Sequence, residues 1–195
     1  MAKGRPRAFD TDKALDAALK VFWRKGYEGS SLSDLTEAMG INPPSLYAAF
    51  GNKEALFRKA LDRYAGSSSL RLHDALAEPS ARRVVERLLR GAAEMLTDPC
   101  NPPGCLMVQG ALSCSDTAQS VREELIARRS SNERELCHRL ERAKADGDLP
   151  EGAEPADLAR YLNILLQGMA VQAAGGATRA ELDRVTDLAL RIWPG

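Results

Sequence analysis

The stretch Ser31–Lys53, SLSDLTEAMGINPPSLYAAFGNK, limits what this chain can fold into more than any other. It reads as two short helices joined by a tight turn. Ser31 is placed to cap the first, with Asp34 three residues on, near the positive end of the helix. Leu32, Leu35 and Met39 recur at i, i+3 and i+7 and share a face. Gly40 falls where the helix must stop and reverse, in a left-handed conformation that costs glycine nothing. Asn42 caps a second helix whose first positions are Pro43 and Pro44. Both prolines lack an N–H, so that cap has to reach the Ser45 amide. Leu46 and Phe50 bury one face of this second helix, leaving Pro44, Ser45, Tyr47 and Ala48 outside.

Apolar anchors at Leu35, Met39, Ile41 and Leu46 around a glycine make a helix-turn-helix. A major groove about 12 Å wide admits one α-helix, so the arrangement suits DNA: the first helix crosses the phosphates and the second reads base edges. An ordinary helical hairpin has the same spacing, so the motif alone leaves both readings open.

A longer segment, Ala17 to Phe57, resembles the tetracycline-repressor (TetR) family of one-component bacterial regulators. The resemblance rests on Phe22-x-x-x-Gly26-Tyr27, the turn, and Leu46-Tyr47-x-x-Phe50-x-x-Lys53-Glu54-Ala55-Leu56. The chain departs from the family at Ala48 and Ala49, where an aromatic residue or a histidine is common, and at Thr36, where alanine is. The resemblance implies an all-α fold, with a three-helix DNA-binding domain over residues 1–52 and a helical ligand-binding and dimerisation domain over 53–195. Helix 4, about 53–77, links the two. It also implies that Tyr47 and Lys53 hold phosphates. Pro44, Ser45 and Ala48 are the candidate base readers, and Ser31, Ser33, Asn42, Pro43 and Asn52 are further candidates for contact with the duplex.

Charge supports a division of labour. The net charge is zero, yet residues 1–65 hold 11 Lys+Arg against 8 Asp+Glu, and residues 66–195 hold 16 against 19. A weakly basic head on a weakly acidic body suits a DNA-binding domain that carries something else. Lys3, Arg5 and Arg7 lie on an arm that Gly4 and Pro6 keep from being helical. Such an arm either enters a minor groove or remains a solvated terminus.

No apolar run approaches the 18 or so residues that cross a bilayer, and no apolar leader opens the chain. Four cysteines without a regular framework suit reduced thiols in the cytoplasm. Strand signals are almost absent, so the class is all-α.

Beyond the head, apolar periodicity predicts a helix from Ser80 through Leu96 and a Pro/Gly break at 98–104. A short helix from Cys105 and a long one capped by Ser115 or Asp116 and ending near Ala145 follow. The last two span about 156–174 and 179–193. The weak point Gly66–Ser69 leaves open whether helix 4 is one long helix or two with a linker.

No phosphate loop, nucleophile elbow or HExxH motif is present, so the chain is expected to be no enzyme and to need no cofactor. Cys100, Cys105, Cys114 and Cys137 lack CxxC spacing, which argues against metal. Cys105 at a helix N-terminus admits a redox or electrophile sensor, with Cys100 or Cys114 as resolving thiol. The bland alternative is a small core residue.

Met107, Gln109, Leu112, Tyr161 and Met169 are the candidate contacts for a small apolar effector. Leu162, Leu165, Gly168, Met169 and Trp193 are the candidate homodimer interface. The expected partners are thus double-stranded operator DNA, a small-molecule effector and a second copy of the chain, with no membrane. The rival readings are a thiol-based regulator with the same heads and a helical enzyme or scaffold that binds no DNA.

Overall fold

The computed structural model describes residues 9–110, 115 and 118–194, the side chain of Ser67 apart. Among them are nine helices and no strand: α1 (Thr11–Gly29), α2 (Leu32–Met39), α3 (Pro43–Phe50), α4 (Lys53–Leu76), α5 (Ala81–Leu96), α6 (Leu106–Gln109), α7 (Gln119–Ala145), α8 (Pro155–Ala174) and α9 (Arg179–Ile192). None of them is long and apolar enough to cross a membrane.

The helix boundaries follow local chemistry. Asp10, Ser31, Asn42, Asn52, Ser80 and Thr178 each accept a backbone N–H in the first turn of the helix that follows. Each such cap satisfies one of the donors that a helix start leaves unpaired. α4 runs unbroken through Gly66, so the one-helix reading of this region holds. α7 departs from expectation. It begins at Gln119 with Ala118 at the cap position and no side-chain cap. Ser115 instead gives its N–H and its O–H to Glu28 on α1, and Asp116 lies outside the described residues.

Two apolar cores result. In the first, α1 to α4 close on Phe22, Leu35, Leu46 and Phe57, all fully buried. Phe22 and Phe57 meet edge to face at 4.9 Å, and Tyr27 meets Phe57 at 5.1 Å. Burying each such aromatic contributes roughly 1.5–3 kcal/mol. This core does not stop at α4: Leu106 of α6 and Val121 and Leu125 of α7 belong to it. The second core gathers α5, α7, α8 and α9 around Val85, Leu89, Leu140 and Leu162.

α1 is broken at Gly26, where φ is 70° and ψ is 178°, a region essentially reserved for glycine. The break turns the Tyr27 N–H out of the helix to donate to the Gly110 carbonyl at 2.9 Å. A Cβ at Gly26 would also stand 3.4 Å from that carbonyl oxygen. Gly26→Ala is therefore expected to destabilise the protein by about 1–3 kcal/mol. Urea unfolding measures this, and an unchanged midpoint would show that the break carries no constraint.

Candidate nucleic-acid interface and core cavity

The α2–α3 unit is held by reciprocal caps. The Asp34 N–H donates to Ser31 Oγ at 3.0 Å, and the Ser31 N–H donates to Asp34 Oδ2 at 2.9 Å. Lys25 Nζ donates to Asp34 Oδ1 at 2.7 Å. That ammonium, followed by the Ser31 amide and hydroxyl, holds the Asp34 carboxyl down to about 2. Gly40 closes α2 in the left-handed region, at φ 65°. Asn42 Oδ1 accepts the Ser45 N–H at 2.9 Å, the reach that two leading prolines impose. Asn52 Oδ1 does the same for the Ala55 N–H at 2.8 Å.

The side-chain oxygens of Ser31, Asn42 and Asn52 are thus spent on caps. Ser33, Pro43, Pro44, Tyr47 and Ala48 are exposed, Ser45 is half-buried, and Tyr47 keeps 50% of its surface in solvent. Lys53 Nζ sits 4.6 Å over the Tyr27 ring, a cation–π contact. Burial lowers its pKa, with Glu28 and Asp34 acting in the opposite sense. Arg5 and Arg7, like Lys3, lie outside the described residues.

The head is tied to the α5–α7 connection at several points. Trp23 Nε1 donates to the Gly104 carbonyl at 3.1 Å, and Lys20 Nζ to the Cys100 carbonyl at 3.3 Å. With Tyr27–Gly110 and Glu28–Ser115, these bonds fix α1 against residues 100–115. Trp23 also meets Tyr64 of α4 edge to face at 4.7 Å. The Tyr64 hydroxyl donates to Cys105 Sγ at 3.1 Å, and burial pushes the Tyr64 pKa up.

Behind that pair lies a cavity of about 190 Å³ among α4, α5, α6, α7 and α8. Its apolar wall includes Leu88, Ala92, Met95, Met107, Val108, Leu136 and Leu166, and Cys105 forms part of it. Of the effector contacts expected from sequence, Met107 lines this space. Gln109, Tyr161 and Met169 do not: Gln109 Oε1 is buried with no partner among the described residues, Met169 is in the second core, and Tyr161 packs against that core. Leu112 and Cys114 lie outside the described residues, and Cys100 is exposed. Sequence reasoning missed Arg71, Arg87, Arg129 and Asn132 in the cavity wall. They come from three helices and share no spacing that would announce them. A wider groove of about 1270 Å³ beside α1, α4 and α5 is open and lined by ion-paired residues such as Arg63 and Arg90, a poor match for an apolar ligand.

The interface stripe expected on α8 faces the wrong way. Leu162 is 0% exposed, and Met169 and Trp193 are also buried in the protein's own core, where no partner can reach them. Leu165 is half-buried and Gly168 is exposed. On α8 and α9 the large apolar residues that face solvent are Ile164 (62% exposed), Val171, Val185, Leu188 (53%) and Ile192.

Comparison with known proteins places these features in context. Residues 14–60 match the family model for bacterial regulatory proteins of the tetR family, and residues 81–188 match a tetracyclin repressor-like C-terminal domain. The chain is 37% identical over 196 residues to the HTH-type transcriptional repressor ComR of Escherichia coli K12, covering 99% of this chain and 93% of that protein. It is 38% identical over 120 residues to the repressor BdcR of the same organism, covering 60% of each. Among solved structures, a cysteine-substituted form of the TetR-family regulator CifR, complexed with 26-base-pair operator DNA, superposes with a TM-score of 0.93 at 46% identity. That match covers 97% of this chain and 100% of the other.

The Ser31–Asp34–Lys25 network makes a pH-dependent contribution to stability. Asp34 has a folded pKa below its ordinary 3.8, so its contribution is complete above about pH 5 and fades as pH falls towards 2. Asp34→Asn should therefore melt below wild type at pH 6, with the gap closing as pH approaches 2. A gap that stays constant across that window would mean the carboxylate is not what the network uses.

Proposed function

We propose that this chain, which belongs to the TetR family of bacterial transcriptional regulators, is a homodimeric cytoplasmic repressor that a small molecule releases from a palindromic operator. Residues 1–52 form the reading head, and residues 53–195 form the sensing and dimerising body, with α4 as the link. One observation carries the reading. A short helix, α3, is rigidly capped at Asn42 and presents an exposed face of small side chains plus Tyr47, in a chain 46% identical to a regulator solved on its operator.

Chemistry assigns the roles on that face. Pro44 and Ala48 have only apolar surface to offer, which suits thymine methyls, while Ser45 can bond either kind of base edge. Tyr47 and Lys53 flank them as phosphate contacts, Lys53 being steadied by the Tyr27 ring. Ser33 and the capping residues Ser31, Asn42, Pro43 and Asn52 form the rim. So few base-reading groups per head require two heads, because the second binding event is then intramolecular.

Occupancy of the cavity acts on Tyr64, Cys105 and Met107, the neighbours of the α1 attachments. An effector shifts the dimer only if it binds the released state more tightly than the operator-bound one. A second reading keeps the same heads and replaces ligand occupancy by modification of Cys105. Its support is the position of that thiol in the cavity wall.

Electrophoretic mobility shift with inverted repeats from the DNA upstream of its own gene tests the function. Wild type should bind one repeat specifically, with affinity falling steeply in salt. Lys53→Ala should weaken binding to all sequences alike and reduce the salt slope by about one. An unchanged slope would remove Lys53 from the phosphate contacts.

The dimer is tested on its revised face. Leu188 and Ile164 sit where burial against a second copy would hide apolar surface, and a stable interface of this kind covers some 2,000 Å² or more. Leu188→Glu is exposed in the monomer and should fold normally, yet in the dimer its charge would be desolvated and unpaired. Sedimentation should show a monomer that no longer shifts operator DNA. A variant that remains dimeric at micromolar concentration would put the interface elsewhere.

A further inference from the structure

We infer that the cavity among α4 to α8 takes a small amphipathic organic anion, an apolar body bearing one carboxylate, with Arg129 as the main contact for the carboxylate. The inference rests on the reading of that cavity as the effector site and adds the chemical class of its ligand.

The charges in the wall are unbalanced. Arg71 of α4, Arg87 of α5 and Arg129 of α7 all line the space, and none takes part in an ion pair among the described residues. Exposed arginines such as Arg24, Arg122 and Arg134 also lack a carboxylate partner among the described residues, but they stand in solvent, whereas the three in the wall face a largely apolar space. Arg58, Arg63, Arg90, Arg128, Arg160 and Arg179 each have a carboxylate partner within 4.0 Å. The one acid among the described wall residues, Glu133, is already engaged. Its Oε1 accepts from Arg160 Nε at 2.6 Å and its Oε2 from Asn163 Nδ2. Among the described residues, the cavity is therefore left with cations and no internal counter-ion.

Arg129 is the innermost of these cations. Arg71 and Arg87 are exposed, whereas Arg129 is half-buried, and desolvation lowers its pKa. One of its nitrogens donates to the Met107 carbonyl. A guanidinium has five donors in a planar fork, so others remain, with no acceptor among the described residues. A carboxylate is the group that such a fork binds in bidentate fashion, and it offsets the cost of the desolvated charge. Leu88, Ala92, Val108, Leu136 and Leu166 supply the apolar surface for the rest of the molecule. A volume of about 190 Å³ corresponds to roughly six waters, which limits the ligand to a small acid.

Matched acid and amide pairs test this, because they differ in charge and hardly in shape. Phenylacetate with phenylacetamide, and hexanoate with hexanamide, would be titrated calorimetrically into the purified full-length protein at pH 7. Each acid is expected to bind at least about tenfold more tightly than its amide. Arg129→Met should bring the acids down to the level of the amides and leave amide binding unchanged. Because Arg129 also holds the Met107 carbonyl, Arg87→Gln at the exposed rim serves as the second variant. It should reduce the acid preference about threefold in a protein with wild-type circular dichroism. Equal or tighter binding of the amides, no binding of either acid, or a preference that survives both substitutions overturns the inference. Operator binding by the unliganded protein separates the two levels. Operator binding without acid preference sinks the anion site alone. Acid preference without operator binding sinks the regulator reading and leaves the site standing.

Discussion

The bond on which the rest depends is the one from the Tyr27 N–H to the Gly110 carbonyl. A backbone donor freed from a helix needs a partner, and here the partner lies across the molecule rather than in the next turn. Gly26 makes this possible by taking a conformation closed to other residues. With Trp23 on Gly104, the bond fixes the end of α1 to both sides of α6. The same short segment supplies Cys105, Met107 and Val108 to the cavity. Reading head and cavity therefore share a wall, and α1 and α6 cannot be displaced independently. The extension of the head's core into α6 and α7 follows from this, because Leu106 and Leu125 are drawn in beside Tyr64 and Trp23.

What the sequence made legible is whatever is decided within a few residues. The caps at Ser31 and Asn42 and the reversal at Gly40 are local events, and each stands where its residue type suggests. Positions set by distant partners were not legible. Ser115 carries the signature of a helix cap, yet α7 begins four residues on and Ser115 gives its N–H and O–H to Glu28 on α1. Cavity arginines on three separate helices leave no trace in any spacing rule.

α8 shows a different limit. Leu162, Leu165 and Met169 make one apolar stripe, and Ile164 and Val171, with Gly168 between them, make another on the opposite side. Periodicity picks out both stripes and cannot say which of them the protein's own core covers. The structure assigns Leu162 and Met169 to the internal core and leaves Ile164 and Val171 in solvent. Of the stripe expected to pair with a second copy, Leu162 and Met169 are thus taken by the protein's own core. Pattern identifies the number of buried sides, while tertiary packing identifies the occupants.

α4 has a consequence of scale. Its 24 residues form a rod about 36 Å long. The rod is anchored at one end in the head and touches the cavity near its middle. Tilting such a rod by about 5° about its middle carries its tip by roughly 1.6 Å, about half the rise of one base pair. On the function proposed above, a change in the wall too small to alter any helix would move a groove-reading helix by a sizeable fraction of a step of the duplex. In a two-headed molecule the error enters twice. Leverage from a stiff arm, rather than any large rearrangement, is what this architecture offers to the proposed effector.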